Sequence, residues 1–421
     1  MALPSYARQT GVACEECHVG AFGPQLTDYG RQFKLNGYVW GGGGSKIPPF
    51  SVMALASFNH TSKDQVPPPD RFDRNDNVAL DQVGMFYGGR IYDKVGAFVQ
   101  GTYDGVGDVL ALDNTDVRVA DQGSLWGQDF VYGLTVNNNP TVEDLWNTMP
   151  AWGYPFAGSA LAPTPAAAPL IDGGLAQQVI GASAYAMWNG LLYLDLGGYA
   201  ELPKDTQSAL GVDPTGEQEI DGVAPYWRLA LQQQIGNNDL SIGTYGLFAN
   251  IYPGRDQSAG SDQITDIGFD ASYQYMASND HLFTADANYI REFQNLDASK
   301  RLGNATHGSD TLNEFRLNTS YTYAQTVTAR VAFFDIWGSK DLGVYGGDSA
   351  NGSPDSDGFI FELDYTPFGK EDSWLQPWIN ARFGLQYVLY DKFNGARDNY
   401  DGAGADASDN NTLYLFTWWA F

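Results

Sequence analysis

The 421-residue sequence predicts an all-β chain folded as a 16-stranded antiparallel transmembrane β-barrel, and three observations carry that reading. Segments in which polar and apolar residues alternate recur from residue 48 to the C-terminus, giving strands one face for lipid and one for a wet interior. Composition fits such a wall: Trp, Tyr and Phe make up 14% of the chain, Gly occurs 49 times and mean hydropathy is −0.30. No run approaches the roughly 18 apolar residues of a membrane-spanning helix. A soluble β-sandwich shares that composition, so pattern has to decide. The third observation is the C-terminal segment NTLYLFTWWAF (residues 411–421), with Leu413, Leu415, Thr417, Trp419 and Phe421 on one face and an aromatic final residue. Outer-membrane barrel strands finish this way.

In order, the strands are expected at residues 48–60, 77–92, 94–103, 112–121, 126–137, 177–188, 190–201, 225–236, 238–252, 262–277, 279–292, 311–325, 326–338, 358–369, 376–391 and 409–421. The pattern is weakest over 112–121. It is clear in Leu312–Gln325, where Glu314, Arg316, Asn318, Ser320 and Thr322 share one face and Phe315, Leu317, Tyr321 and Tyr323 the other. In Trp378–Tyr390, Asn380, Arg382 and Gln386 oppose Ile379, Ala381, Phe383, Leu385, Tyr387 and Leu389. Charges at alternate positions of a strand require water on that side.

The connections alternate in length. Tyr92-Asp93-Lys94, Trp188-Asn189-Gly190, Gly236-Asn237-Asn238-Asp239 and Ser278-Asn279-Asp280 read as tight turns, whereas 61–76, 138–176, 202–224, 293–310, 339–357 and 392–408 read as long loops. Bacterial outer-membrane barrels have short periplasmic turns and long external loops. An even strand number then places both termini on the periplasmic side and the long loops outside the cell. The segment 138–177, with its SALAPTPAAAPLIDGG run, is expected either to fold into the pore or to remain a flexible external loop.

The only two cysteines of the chain lie in Cys14-Glu15-Glu16-Cys17-His18. Cys-x-x-Cys-His is the attachment sequence of c-type haem: each thiol forms a thioether to a vinyl group, and the histidine sits beneath the iron as proximal ligand. A thioredoxin-like dithiol lacks its βαβ surroundings here, and a zinc site lacks a second cysteine pair. The remaining histidines, His60, His281 and His307, are far along the chain. One covalent haem c, a one-electron centre, is therefore expected on Cys14, Cys17 and His18.

Residues 1–45 are expected to form the monohaem cytochrome segment and 46–421 the porin-like barrel, with a helix over Leu26–Leu35 and a hinge at Gly41–Gly44. So short a segment cannot bury a haem alone. It is expected to plug the periplasmic side of the barrel and use the lumen wall as a shield. The chain opens Ala2-Leu3-Pro4 after Met1, as a processed, exported end would.

The stretch LPSYARQTGVACEECHVGAFGPQLTDYGRQFKLNGY, followed by the strand pattern and a terminal Phe, resembles the fused monohaem cytochrome-porin of iron-oxidising bacteria, an outer-membrane iron(II) oxidase. Residues Ala7–Gly11 and the run Leu26-Thr27, Gly30-Arg31, Phe33-Lys34 carry the likeness over about the first 40 residues; beyond them it is architectural. The resemblance implies oxidation of extracellular Fe(II) and transfer of electrons through one haem to a soluble periplasmic cytochrome.

A hydrocarbon layer of roughly 25 Å is tall for one electron-transfer step, so either the donor enters the lumen or the haem sits at intermediate height. The formal charge of −27 concentrates cations at the mouth. Acidic loops around Asp348, Asp355 and Asp357, and around Asp398, Asp401, Asp406 and Asp409, are candidates for a funnel. For the distal iron ligand, His60 shares the lipid-facing parity of Val52 and Phe58, whereas Met53 has lumen parity at the periplasmic start of the first strand and is preferred; Met276 ranks next. His/Met ligation raises the reduction potential. Arg8, Arg31 and Lys34 are the nearby cations for the haem propionates. Export of electrons to external acceptors, and a diffusion porin bearing a haem tether, are the rival functions. The acidic balance argues against nucleic acid, and no Gly-x-Ser-x-Gly, phosphate-binding or His-Glu-x-x-His motif is present.

Overall fold

The computed structural model describes residues 2–41, 48–212, 219–278 and 280–421. Positions 42–44 of the expected hinge, the boundary at 45 and 46, and Asn279 of one tight turn lie outside the described residues.

Sixteen strands form one closed antiparallel barrel: β1 (Phe50–Thr61), β2 (Asn77–Tyr92), β3 (Val95–Asp104), β4 (Val109–Leu125), β5 (Gln128–Asn137), β6 (Val179–Trp188), β7 (Leu192–Glu201), β8 (Val223–Ile235), β9 (Asn238–Ile251), β10 (Asp262–Ser278), β11 (His281–Asn295), β12 (Ser309–Tyr323), β13 (Val327–Gly338), β14 (Ser356–Tyr365), β15 (Asn380–Lys392) and β16 (Thr412–Ala420). Each strand pairs with its sequence neighbours, and β1 closes the cylinder on β16 from Met53 opposite Ala420 to Thr61 opposite Thr412. Closure leaves no unpaired edge, as a hydrocarbon solvent demands.

The side chains are sorted as a membrane wall requires. Along β6, Val179, Gly181, Ser183 and Tyr185 turn inward and Ile180, Ala182 and Ala184 outward. Around the barrel Leu194, Leu229, Ile242, Phe269, Phe283, Val331, Phe361, Leu385 and Leu415 are exposed, whereas Arg118, Arg228, Arg382, Asp195 and Glu314 are buried inside. Apolar outside and charged inside is the reverse of a soluble sandwich. The terminal strand follows its predicted parity: Leu415 and Phe421 face out while Tyr414, Phe416 and Trp418 fill the lumen.

Two connections depart from strict alternation. β3 and β4 are joined on the long-loop end by residues 105–108 alone, and β4 extends well beyond the expected 112–121. On the short-turn end, β14 and β15 are separated by residues 366–379, so the strands expected at 358–369 and 376–391 end and begin elsewhere. Pro367 and Pro377 remove ladder donors there. The freed backbone serves the N-terminal segment instead: the Gly369 carbonyl accepts the Glu15 N–H at 3.1 Å.

That segment lies inside the barrel at the short-turn end. It comprises α1 (Pro4–Thr10), α2 (Cys14–Cys17) and α3 (Asp28–Leu35), the last slightly shorter than expected. Pro4 opens α1 and Gly11, at φ 80°, closes it; the Thr27 hydroxyl caps α3 on the Gly30 N–H. The wall holds the segment through Gln25 on Asp286 (2.7 Å), Asn380 on the Ala21 carbonyl (2.8 Å) and Tyr38 on Asp116 (2.5 Å).

Of the two readings for the long connection after β5, the lumenal one is realised. Residues 137–149 are buried without interruption. Inward-facing wall groups meet the loop: Arg228 pairs with Asp144 at 3.4 Å, Asp270 accepts from Thr148 at 2.7 Å, and Glu292 and Asp266 accept the backbone N–H groups of Leu170 and Ile171 at 2.6 and 2.8 Å. The N-terminal segment and this loop meet in the lumen over an aromatic core of Phe22, Phe33, Tyr38, Phe98, Trp152 and Trp418.

Candidate functional site

Where the two inserts meet, Cys14, Cys17 and His18 line one cavity bounded by α1, α3 and the inward loop. The local fold follows from a backbone return after the motif. Val19 N–H reaches the Gln25 carbonyl at 3.1 Å and Thr27 N–H the Cys17 carbonyl at 3.0 Å, laying Leu26 alongside His18. Gly30 lets α3 approach, since a Cβ there would collide with the Cys17 carbonyl.

Both cysteines are free thiols. Burial raises the Cys14 thiol and pushes that of Cys17 up to about 12, with Cys14 and Glu16 adding to the latter effect. A redox dithiol needs a depressed thiol, and this pair is the opposite. Among the described residues neither cysteine belongs to a cluster of three or more metal-ligating side chains. The Cys14 sulfur accepts from the Gln376 amide at 3.4 Å, and the Glu371 N–H donates to Glu15 at 2.9 Å, so residues 366–379 strap the motif from outside.

His18 is buried, and burial holds its imidazole well below the usual range, in the neutral form a metal ligand requires. The carbonyls of Gly23 and Gln25 lie beside the ring, yet Nδ1 has no hydrogen-bond partner. Two thiols, a neutral imidazole and a shared, aromatic-walled cavity fit a covalently held haem c.

The structure places the other expected site residues variously. Met53 faces the lumen, as its parity requires, and is 2% exposed in the aromatic core with Leu3 and Phe22. Of those three, Leu3 alone lines the cavity. Met276 is exposed near the end of β10, and His60 lies on the outer wall paired with Asp76 at 2.7 Å. Arg8 bonds the Phe50 carbonyl and stacks over Trp378 at 5.1 Å, and Arg31 is engaged by Asp239 and by Asp28 at 3.6 Å. Neither arginine lines the cavity.

Lys34 does line it. Its Nζ donates to the carbonyls of Val142 (2.8 Å) and Asp144 (2.5 Å) and to Asn147 Oδ1 (2.9 Å), over the Trp152 ring at 5.3 Å. Burial, aided by the Arg118 guanidinium, lowers its ammonium to about 7. Sequence reasoning missed Asn147 and Trp152, which come from a loop without periodicity. Asn147 also lines a larger cavity of about 1440 Å³ on the loop side, whose walls include Asp286 and Glu314.

No protein-family model matches the sequence, and no curated protein is significantly similar to it. Among solved structures the chain is similar to an anion-selective porin from Comamonas acidovorans (11% identity, 88% of this chain and 98% of that one, TM-score 0.49). It is also similar to the outer membrane channel DcaP of Acinetobacter baumannii (13%, 88% and 96%, TM-score 0.47) and to OmpT, an outer membrane protein of Vibrio cholerae (12%, 88% and 96%, TM-score 0.45). By its own strand register and face sorting the chain is a closed 16-stranded transmembrane β-barrel.

Proposed function

We propose that the chain is an outer-membrane electron conduit that oxidises external Fe(II) at one covalently held haem c and hands the electron to a soluble periplasmic cytochrome. The observation that carries this reading is the convergence of Cys14, Cys17 and His18 on one cavity inside a lipid-facing barrel. Haem c bound there supplies one-electron redox chemistry. The Cys14 and Cys17 sulfurs and the neutral His18 imidazole would hold it. Phe33, Tyr38, Phe98 and Trp152 keep water from the cavity walls.

On this reading the short turns and both termini face the periplasm and the long loops face the outside, as in outer-membrane barrels generally. Fe(II), as substrate, enters from the loop side and leaves as Fe(III) after giving up one electron. Asn147 borders both the cavity of the cysteines and the larger cavity, linking the loop side to the motif. A mineral particle does not fit such a path. The test is stopped-flow reduction of the purified, export-matured protein by Fe(II), compared with bulky reductants of similar potential. Fast reduction by Fe(II) alone is expected, and a protein without a Soret band, or one that Fe(II) leaves oxidised, overturns the proposal.

The larger cavity also favours a second reading, a narrow diffusion channel. Ion conductance across a planar bilayer with no Fe(II)-dependent reduction selects it. Direction of electron flow is set by a potentiometric titration: a potential below that of the Fe(III)/Fe(II) couple under the assay conditions favours export.

A further inference from the structure

At the opposite end of the barrel from Cys14, the connections 296–308 and 339–355 come together around three side chains, His307, Asp310 and Asp341. Their candidate ligand atoms all lie within 4.8 Å of one another. His307 Nδ1 is 3.4 Å from Asp310 Oδ1 and 3.6 Å from Asp341 Oδ2, longer than hydrogen bonds. Ligand atoms held about 2.1 Å from one ion in tetrahedral directions are about 3.4 Å apart.

The two carboxylates are not equivalent. Asp341, at the start of the helical turn Leu342–Tyr345, accepts the backbone N–H groups of Thr306, His307, Gly343 and Val344, which stabilise its carboxylate. It is therefore an anion fixed in position. Asp310 is 7% exposed and has a buried Oδ2 without a hydrogen-bond partner. Two carboxylates within 4.8 Å of each other, one with an unmatched oxygen, favour a cation between them, and the half-exposed His307 approaches both.

We propose that His307, Asp310 and Asp341 bind one first-row divalent transition-metal ion, which pins these two loops at the barrel rim. An imidazole with two carboxylates suits Zn(II), Mn(II) or Fe(II) better than Ca(II) or Mg(II), which take oxygen ligands. The half-exposed His307 leaves the remaining coordination positions open to water. The site stands on its own geometry and needs no haem.

Calorimetric titration of the full-length protein with Zn(II), in detergent and with excess Mg(II) to occupy weak surface acids, tests it. One site is expected in the wild type, weakened by about tenfold or more in both His307→Ala and Asp310→Asn. His60→Ala, which removes an equally exposed histidine beside Asp76, is expected to leave it unchanged. His307 is at the surface and Asp310→Asn is isosteric, and heat-modified electrophoretic mobility confirms that each variant barrel is folded. A wild type with no site above the surface background, or a site whose affinity is the same in folded His307→Ala and Asp310→Asn, overturns the proposal. A protonated His307 merely bridging the two acids gives the first of these results.

Discussion

Lys34 Nζ donates to Asn147 Oδ1 at 2.9 Å, tying the last turn of the N-terminal helix to the loop that descends from the other end of the barrel. The same ammonium takes two loop carbonyls, so all three of its donors are committed. Its protonation state therefore governs how the two inserts meet.

An unfolded lysine keeps its proton to about pH 10.4, whereas Lys34 gives it up at about 7. Between those values the unfolded chain binds the extra proton, so folding stability rises as pH climbs through that window. Thermal unfolding midpoints in detergent are expected to increase from pH 7 to pH 10, and Lys34→Met is expected to flatten that rise.

The covalent attachment is tested residue by residue. Cys14→Ala and Cys17→Ala, coexpressed with haem maturation machinery, are each expected to lower haem staining on a denaturing gel, and the double variant to abolish it. His18→Ala is expected to shift the Soret band of whatever pigment remains attached. Full staining in the double variant contradicts the assignment.

Gly30→Ala adds one methyl group against the Cys17 carbonyl. Alanine improves intrinsic helix propensity by about 0.5–1 kcal/mol, but an overpacked site costs about 1–3 kcal/mol. Sterics win, and both a lower midpoint and a reduced yield of haem-bearing protein are expected.

Met53→Ala separates packing from ligation. Met53 lies in the aromatic core and does not border the cavity with His18. The expected result is an unchanged haem spectrum with a stability loss of about 2–5 kcal/mol. Conversion to a high-spin spectrum would instead show that its sulfur reaches the iron.

Shortening the inward loop by removing residues 156–166 opens the larger cavity, which Phe156, Pro163 and Pro165 border. Single-channel conductance is expected to increase severalfold, while haem staining persists because Asn147 and Trp152 remain. No change in conductance would mean that the restriction lies deeper, at the N-terminal segment.

The wall was legible because lipid and water act on alternate residues of every strand, so Val52 and Met53 declare their opposite faces by parity alone. Depth was not. Parity cannot say that Met53 packs among aromatics instead of bordering the cavity, since that depends on where the plug settles. The inward loop was equally opaque: Asn138, Asn139, Glu143, Asp144 and Asn147 look like a solvated stretch, yet all are buried. Their partners, among them Arg228, Arg118 and Lys34, are distant in sequence, and only the folded barrel matches them. The segment 366–379 misled for the opposite reason, because its apolar residues Phe368, Trp374, Leu375 and Trp378 suggest strand while its backbone serves Glu15.

The strap formed by residues 366–379 imposes an order of assembly. With Cys14 buried beneath Gln376, an enzyme has little access to that sulfur once β14 and β15 have paired. On the proposed haem assignment, covalent chemistry at that sulfur would belong to the unfolded polypeptide and would precede insertion into the bilayer.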